Sequence, residues 1–422
     1  MLEKQRNQLC LLLLVLVPSI VSPTVFDNRF IPLYDRQWLS INGLPSFFST
    51  DVFFVTGSNA YGENEELIGI PEIFGPFDQG QFSNALDLLQ KQNPLRTDWR
   101  GAKIPWRTQG KLQAQGLECA WYQTIKTFAN RMYVGFGADW LFMRSSSSMQ
   151  FLLPNDTAVK DRVDLKLGPS DVLELDEDRR AMFQVVGIKQ DFAHQIGFGD
   201  IDGYLRLGRS WKHTLKCRKI DTAFRLGCLF PSGVSHEVNV PASIPYGGNG
   251  HWGMYGQLES MFEVKEDIKV GFLLRLGKRF PRTQCARMPV ANEPIIFGAE
   301  VGSLSTNPGV TFNAAPFFVL ENLAEGLGAS VRYVLTIHAD DELHDRRGCD
   351  QSVPVKLAQA ENLSGWASSY FTVNAFYDFG KAKAKRSLDP IISLQWEVPS
   401  MMFIPKRAAS THKVALMLTC CY

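Results

Sequence analysis

The sequence predicts an all-β protein, a transmembrane, antiparallel, up-and-down β-barrel of about twelve strands. Three observations support this prediction. Apolar and polar residues alternate with a period of two through segments of about ten residues, the chain ends on such a segment, and the connections between segments alternate between short and long. About ten residues is the length that a tilted strand needs to cross a bilayer. One apolar face and one polar face is the pattern of a membrane barrel.

The clearest alternation lies between residues 252 and 279. Residues 252–264 carry one apolar face and residues 268–277 carry a second. The apolar members of the second face are Ile268, Val270, Phe272, Leu274 and Leu276. Only the charged turn 265–267 separates the two segments, so they are expected to pair as an antiparallel hairpin. A long hairpin in a soluble sandwich would show the same pattern, and its recurrence along the chain favours the barrel.

Ten further segments show this pattern: 51–57, 111–124, 132–143, 199–211, 220–231, 310–320, 327–338, 371–379, 392–398 and 414–422. With the C-terminus on the periplasmic side, the short connections all fall on that side: 125–131, 212–219, 265–267, 322–326 and 380–389. The long connections then fall outside, with the shorter 399–412 beside them: 61–110, 144–198, 232–251, 280–308 and 339–365. Short periplasmic turns and long external loops are the rule for bacterial barrels.

The composition and the N-terminal residues limit the possible domain organisations and partners. The net charge is +1 over 422 residues, which gives no electrostatic basis for binding nucleic acid. The mean hydropathy of −0.10 is too polar for a helical membrane protein but suits a barrel. Residues 1–22 predict a secretory signal, because Lys4 and Arg6 precede a short apolar core; an uncleaved anchor is the alternative. Residues 23–50 show no clear period and are expected to plug the lumen or lie beneath it, and residues 51–422 form the barrel.

The last segment carries a more specific pattern. Val414, Leu416, Leu418, Cys420 and Tyr422 alternate up to the final residue. This resembles the terminal strand of Gram-negative outer-membrane β-barrel proteins, which ends on an aromatic residue. The resemblance implies the bacterial outer membrane as the location, with its lipid and the barrel assembly machinery as partners. It also implies that Leu416, Leu418 and Tyr422 form the assembly signal.

A narrower resemblance is to the transporter barrels for long-chain fatty acids and aromatic hydrocarbons. In those barrels an N-terminal segment plugs the lumen, and residues 23–50 or 61–110 are the segments of this chain that would do the same. Those barrels have fourteen strands, whereas twelve are predicted here, and no motif specific to them is present in this sequence.

Charged residues on the face opposite the apolar stripe are expected to point into the lumen. They are Asp139, Asp202, Arg206, Asp221, Arg225, Glu259, Arg275, Arg332 and Asp378. Rings of charged side chains set the selectivity of pores, so one interpretation is a permeation path with a constriction of mixed charge. The other is a salt-bridge network that braces a closed lumen, because a barrel of this size can be open or filled.

Other kinds of chemistry have weak support. Cys285 and Cys349 lie in loops predicted on the same side, which makes them the best candidates for a disulfide in an exported chain. No CxxC pair or His/Cys cluster is present, so neither a metal nor a cofactor is expected. A barrel hydrolase would use Ser232 with His236 or His251, but no GxSxG motif supports an enzyme.

The sequence therefore predicts a channel or transporter for small solutes, with a monomer favoured. The alternative is a structural or adhesive surface barrel without an open pore, whose long loops bind partners. The substrate, and whether the lumen is open or plugged, stay undecided at this point.

Overall fold

The computed structural model is a closed, antiparallel β-barrel. The structure describes residues 28–31, 46–128, 132–153, 169–189, 191–214, 217–348, 353–382, 389–403 and 405–422. The predicted signal, 1–22, lies outside these ranges, and so do 23–27 and 32–45 of the N-terminal segment. No helix within the described ranges is long and apolar enough to cross a membrane.

Twelve strands form the barrel. In chain order they are β1 (Phe47–Tyr61), β2 (Pro105–Phe128), β3 (Met132–Leu152), β4 (Ile201–Thr214), β5 (Cys217–Phe230), β6 (Gly253–Lys265), β7 (Ile268–Arg279), β8 (Val310–Ala324), β9 (Leu327–His338), β10 (Trp366–Asp378), β11 (Asp389–Pro399) and β12 (Ala408–Cys421). Each pairs antiparallel with its neighbours in the chain, and β1 also pairs with β12, which closes the sheet. The predicted fold class and strand number are confirmed.

The connections sort by length at the two ends of the barrel. Short ones follow β2, β4, β6, β8 and β10 at the end that carries the C-terminus, which we call the periplasmic end. The turn before β7 contains Asp267 at φ 66°, and the turn before β9 contains Gly326 at φ 76°. Both are left-handed conformations of the kind that two-residue hairpin turns require. The longer connections all lie at the opposite end, which we call the external end.

The two faces of the strands agree with the predicted alternation. Leu274 and Leu276 on β7 are exposed on the outside of the barrel, whereas Arg275 between them is buried inside it. The same alternation recurs around the sheet, and its exposed members include Val52, Phe54, Leu205, Leu207, Phe224, Leu226, Phe312, Phe318, Val373, Leu394, Leu416 and Leu418. These side chains form an apolar band of the kind that faces lipid.

Strands β2 and β3 extend beyond their predicted external ends, which were residues 111 and 143. Their outward side chains change from apolar to polar above Leu117 and Phe142. The outward polar residues are Arg107, Gln109, Lys111, Gln113 and Gln115 on β2, and Arg144, Ser146, Ser148 and Gln150 on β3. These parts of the strands rise above the apolar band, where outward residues need not be apolar, so the alternation that predicts a strand from the sequence is absent there.

The external loops form a second core at the mouth of the barrel. The helices are α1 (Gln79–Leu88), α2 (Pro169–Val185) and α3 (Ala358–Asn362), with α4 (Phe379–Ala382) at the periplasmic end. Phe77, α1, α2 and Phe297 contribute to one apolar cluster, in which the Phe77 ring lies 5.1 Å from that of Phe297 and 5.5 Å from that of Phe183. The external loops are thus packed together over the opening.

Smaller elements complete these loops. Short strands lie at Leu67–Gly69, Phe77–Asp78 and Phe192–Phe198, and Ile70–Phe74 and Ile295–Phe297 are 3₁₀ turns. Strands Arg282–Met288, Glu300–Asn307 and Glu342–Asp345 form a separate three-stranded external sheet. Phe192–Phe198 continues the line of β4 along the external part of β3, with Gly199 and Asp200 between the two pieces.

The apolar band can be tested with two arginine substitutions on the same face of β2. Leu117→Arg places a charge beside Val52 and Phe142, in the external part of the band, and should destabilise the inserted barrel by less than the roughly 2–4 kcal/mol expected at the midplane. Gln113→Arg, one step above the band beside Thr56 and Ser146, should change stability little. The measurement is the temperature at which the compact form in a detergent gel converts to the slower, unfolded form. Equal losses for both variants would show that the band is wrongly placed.

Candidate functional site

Side chains from strands β4 to β7 meet inside the barrel around the carboxylate of Glu259. Arg206 Nε donates to Glu259 Oε2 at 3.0 Å, and Arg225 Nη2 lies 3.1 Å from Glu259 Oε1. Gln257 Nε2 also donates to Glu259 Oε1 at 2.7 Å, and the other end of the amide, Gln257 Oε1, accepts from Arg275 Nε. All five side chains are buried. One carboxylate is therefore the direct counterion of two arginines and is linked through an amide to a third.

Aromatic rings hold the same arginines on their other sides. The guanidinium of Arg225 lies 4.1 Å from the centroid of the Tyr204 ring, and that of Arg275 lies 4.2 Å from the centroid of the Tyr255 ring. The Tyr255 hydroxyl contacts both carboxylate oxygens of Asp202, at 2.9 and 2.8 Å. Such cation–π contacts strengthen when they are removed from water, as they are here. We call this group, together with Asp139 and the Glu259 cluster, the lumenal network.

The structure places all nine predicted lumenal residues on the inward face, where each is buried. Asp139 lies on β3, 3.8 Å from Arg225, and belongs to the lumenal network. Asp221 lies 2.8 Å from Lys219 near the periplasmic end, and Asp378 Oδ1 accepts from the backbone N–H of Gly380. Arg332 lies on β9 and interacts electrostatically with Glu397. Six of the nine thus belong to the lumenal network, and Asp221, Arg332 and Asp378 are not among its members.

Sequence reasoning missed the uncharged members of the network. Gln257, Tyr204 and Tyr255 occupy inward positions on the same strands as the predicted charges. It also missed the buried pair of Lys413 with Glu118, 3.6 Å apart on neighbouring parts of the wall. The period of two placed Gln257, Tyr204 and Tyr255 on the inward face, but only charge had been used to select candidates from it. Glu118 was missed because the alternation through 111–124 is imperfect, and Lys413 because it precedes the predicted segment 414–422.

Residues 246–253 form a glycine-rich segment, and a buried ion pair holds its first residues in place. Asp200 Oδ2 lies 2.7 Å from Arg279 Nη1 and accepts from the backbone N–H of Gly248 at 2.6 Å. A Cβ atom at Gly247 would stand 2.3 Å from Asp200 Cγ, and one at Gly248 would stand 2.0 Å from Arg279 Cζ. Glycine is needed at both positions because the backbone passes directly over this ion pair.

Residues 28–31 lie inside the external half of the lumen. Asn28 Nδ2 donates to the carbonyl of Pro245 at 2.7 Å, and the backbone N–H of Ala409 on β12 donates to the carbonyl of Arg29 at 2.8 Å. Phe30 and Ile31 are buried in an apolar cluster. Its other members include the inward-facing Val55, Leu112, Ala114, Met143 and Ala415. We call residues 28–31 the lumenal segment.

A cavity of about 280 Å³ lies between the lumenal segment and the external loops. Its apolar lining includes Phe30, Phe74, Val238, Ile295, Ile296, Leu304, Leu343, Leu363 and Trp366. Its ionisable lining consists of Arg29, His236, His251, Arg279, Cys285, Arg287, His338 and Asp341. We call it the external cavity; apolar walls with a few converging polar groups are typical of small-molecule sites.

Two arginines of the external cavity have unusual surroundings. Arg29 Nη1 donates to the carbonyl of Leu363 at 3.3 Å, and its guanidinium lies 4.3 Å from the centroid of the Phe74 ring. Burial lowers the pKa of Arg29 to about 10, against the opposing effect of Asp341. Arg287 is also buried, and burial lowers its pKa to about 10 as well. Both remain protonated at neutral pH.

The residues considered for a hydrolase are not assembled into a catalytic group. Ser232 Oγ donates to the carbonyl of Gly199 at 2.9 Å, and His251 Nδ1 is bonded to the carbonyl of Phe280 at 2.9 Å. His236 Nδ1 lies 2.8 Å from the Oγ of Ser243, which is seven residues further along the same loop. Burial lowers the pKa of both histidines, with further lowering by Arg287 at His236 and by Arg279 at His251.

The thiols and possible metal ligands can be described only in part. Cys285 is a free thiol at the external cavity, and Cys349 lies outside the described residues. Their disulfide therefore stays a prediction. Within the ranges that the structure describes, no group of three or more His, Cys, Asp or Glu residues could hold a metal ion.

Comparison with known proteins supports the fold. No protein-family model and no curated sequence matches the chain. The COG4313 outer membrane channel from Pseudomonas putida F1 gives a TM-score of 0.51 at 10% identity, over 92% of this chain and 100% of that one. A TodX deltaS2S3 mutant monoaromatic hydrocarbon channel gives 0.33 at 9% identity, over 90% and 91%. A Pseudomonas aeruginosa FadL homologue gives 0.32 at 7% identity, over 90% of each chain. The first likeness shows a shared outer-membrane barrel fold, and the other two scores are too low to add to it.

The role of Glu259 as a shared counterion can be tested against a second glutamate on β6. Glu259→Gln removes the charge between two buried arginines and should destabilise the barrel by about 3–5 kcal/mol. Glu263→Gln is the matched control, because Glu263 lies 3.5 Å from the half-exposed Arg218, and such a pair contributes about 1 kcal/mol or less. Urea unfolding of the purified barrel in detergent measures both. A loss at residue 259 no greater than that at residue 263 would contradict the bracing role.

Proposed function

We propose that the protein is a channel or transporter of the bacterial outer membrane that carries small solutes through its barrel. The observation that carries this proposal is the external cavity: a space of about 280 Å³ inside the mouth of the barrel, with apolar walls and charged groups. Its volume is close to the lower end of the range for small-molecule sites. The barrel folds as a single chain, and we propose a monomer surrounded by outer-membrane lipid.

Two further features support a transport role. The first is the lumenal segment, which occupies the external half of the lumen and forms part of the cavity wall. The second is the described channel from Pseudomonas putida, which has the same fold. A barrel whose only task is to display loops has no need of a solute-sized space between its own N-terminal residues and its loops.

The conformation described here is closed towards the periplasm. Below the external cavity, the side chains of the lumenal network are buried and cross-linked by hydrogen bonds and ion pairs. Passage of a solute therefore requires movement of the lumenal segment and a local opening of the contacts beneath it. The contacts of the segment suit this role, because apolar packing of two side chains, one backbone hydrogen bond and a few hydrogen bonds from side chains hold it in place.

The assembly signal also remains part of the proposal. Leu416 and Leu418 face outward on β12, and the Tyr422 hydroxyl accepts a hydrogen bond from Trp121 Nε1 at 2.9 Å. We infer that the barrel assembly machinery recognises this exposed apolar edge before β12 pairs with β1. The surface-barrel alternative shares this signal but has no conducting state, and an enzyme would need a catalytic group that the site does not assemble.

Conductance tests the channel directly. Phe30→Asp combined with Ile31→Asp puts two carboxylates into an apolar cluster, which should expel the lumenal segment and raise single-channel conductance in planar bilayers several-fold. Leu67→Asp combined with Leu88→Asp is the matched control, because both residues are exposed in external loops. The control should conduct like the unmodified protein.

Two outcomes would count against the channel. One is a correctly folded Phe30/Ile31 variant that conducts no more than the unmodified protein at any voltage, which would favour the surface barrel. The other is an equal rise in the Leu67/Leu88 control, which would show that added charge on the loops, and not the release of the segment, had changed the conductance.

A further inference from the structure

The external cavity contains more positive than negative charge. Among the residues that the structure describes, three arginines line it, Arg29, Arg279 and Arg287, against one carboxylate, Asp341. Arg279 is neutralised by Asp200, which lies 2.7 Å away. The remaining two arginines face a single carboxylate. His338, whose Nε2 lies 3.0 Å from Asp341, adds a further positive charge whenever it is protonated.

Arg287 is the main source of this excess. Its guanidinium donates to the carbonyls of Val238, Gly298 and Val186, at 2.7, 3.0 and 3.1 Å. The fourth acceptor is Oδ1 of Asn239 at 2.8 Å. All four acceptors are neutral, so they satisfy four of the five N–H donors without cancelling the charge. Glu293, the buried carboxylate in the same loop, instead accepts from the backbone N–H groups of residues 290, 291 and 299.

The positive charge of Arg29 is also only partly compensated by its neighbours. Its contacts in the described part of the chain are one long hydrogen bond to a carbonyl and the face of Phe74. The carboxylate of Asp341 interacts electrostatically with Arg29. The same carboxylate also pairs with His338 and accepts a hydrogen bond from the backbone N–H of Gly309 at 2.8 Å. A buried cation without a full counterion is unfavourable unless a bound anion supplies the missing charge.

We propose that the external cavity binds a small organic anion: a monocarboxylate or similar monoanion with a compact apolar body. The anionic group is held at the arginine side by Arg29 and Arg287, through charge-assisted hydrogen bonds or close charge contact. The apolar body lies against Phe30, Phe74, Ile296 and Trp366. This inference rests on the proposed function, since it names the class of solute that the channel takes up.

Size and charge together exclude the nearest alternatives. A neutral hydrocarbon would suit the apolar lining but would leave two buried guanidinium groups with only one carboxylate, Asp341, among the described lining residues. An inorganic anion would supply the charge but would leave the apolar walls unfilled. Arg29 also belongs to the lumenal segment, so an anion that binds it interacts with the same piece of chain that closes the lumen.

Binding of benzoate to the full-length protein in detergent, measured by isothermal titration calorimetry, tests the site. Benzamide has nearly the same shape without the charge, and toluene represents a neutral hydrocarbon. Benzoate should bind at least about tenfold more tightly than either. Arg29→Gln and Arg287→Gln should each weaken benzoate binding by about tenfold or more, and neither should weaken benzamide binding comparably.

Arg96→Gln is the control, because Arg96 pairs with Asp98 and Glu174 in the external loops and does not line the cavity. The heat-induced shift in a detergent gel shows whether each variant is folded. Arg29 and Arg287 lie on different parts of the chain, so a folding failure of one leaves the other to decide. Equal binding of benzoate and benzamide, or full binding by a folded Arg29→Gln protein, would overturn the proposal.

The failure of this site can be told apart from the failure of the channel. Bilayer conductance and uptake of labelled benzoate into liposomes report transport, and calorimetry reports binding alone. Benzoate binding without any flux would retain the anion site and reject the transport role. Flux of neutral solutes without benzoate binding would retain the channel and reject the anion site.

Discussion

The pairing of β1 with β12 is the interaction on which the rest of the structure depends. Residues 47–61 pair with residues 408–421 on one side and with β2 on the other. In a bilayer, each backbone group left unpaired at a sheet edge is unfavourable by several kcal/mol, so only a closed sheet can span. Closure also gives every strand an inner and an outer face, which imposes the alternation seen in the sequence.

Closure also creates an interior of fixed width that must be filled or hydrated. In the lumenal network the inward side chains are large and polar, and those from neighbouring strands reach one another. Arg225 and Glu259 lie on the adjacent strands β5 and β6, and the ring of Tyr204 on β4 covers the guanidinium. The charges are buried as a connected group because a lone charge at any one position would have neither water nor a partner.

The parts of the structure that follow from this alternation could be predicted from the sequence, and the others could not. The apolar Leu274 and the charged Arg275 next to it indicate the outward and the inward face of β7 from the sequence alone. The external third of β3 could not be predicted from the sequence, because its outward residues, such as Arg144 and Gln150, are polar like those of a loop. The contacts of Gly248 with Asp200, and of Arg287 with three carbonyls, join segments far apart in the chain, and no local pattern in the sequence predicts them.

Two buried arginines, Arg225 and Arg287, have contrasting surroundings. The contrast distinguishes the part of the lumen that braces the barrel from the part that we propose binds a solute. Arg225 has a carboxylate at 3.1 Å and an aromatic face at 4.1 Å, so its charge has a counterion within the fold. Arg287 has four neutral acceptors, which fix its orientation but leave its charge uncancelled. A group needed only for bracing would be most stable with a counterion built into the fold. A buried cation that is held in place with no carboxylate among its described acceptors instead suits the proposed role of binding a negative charge from outside the chain.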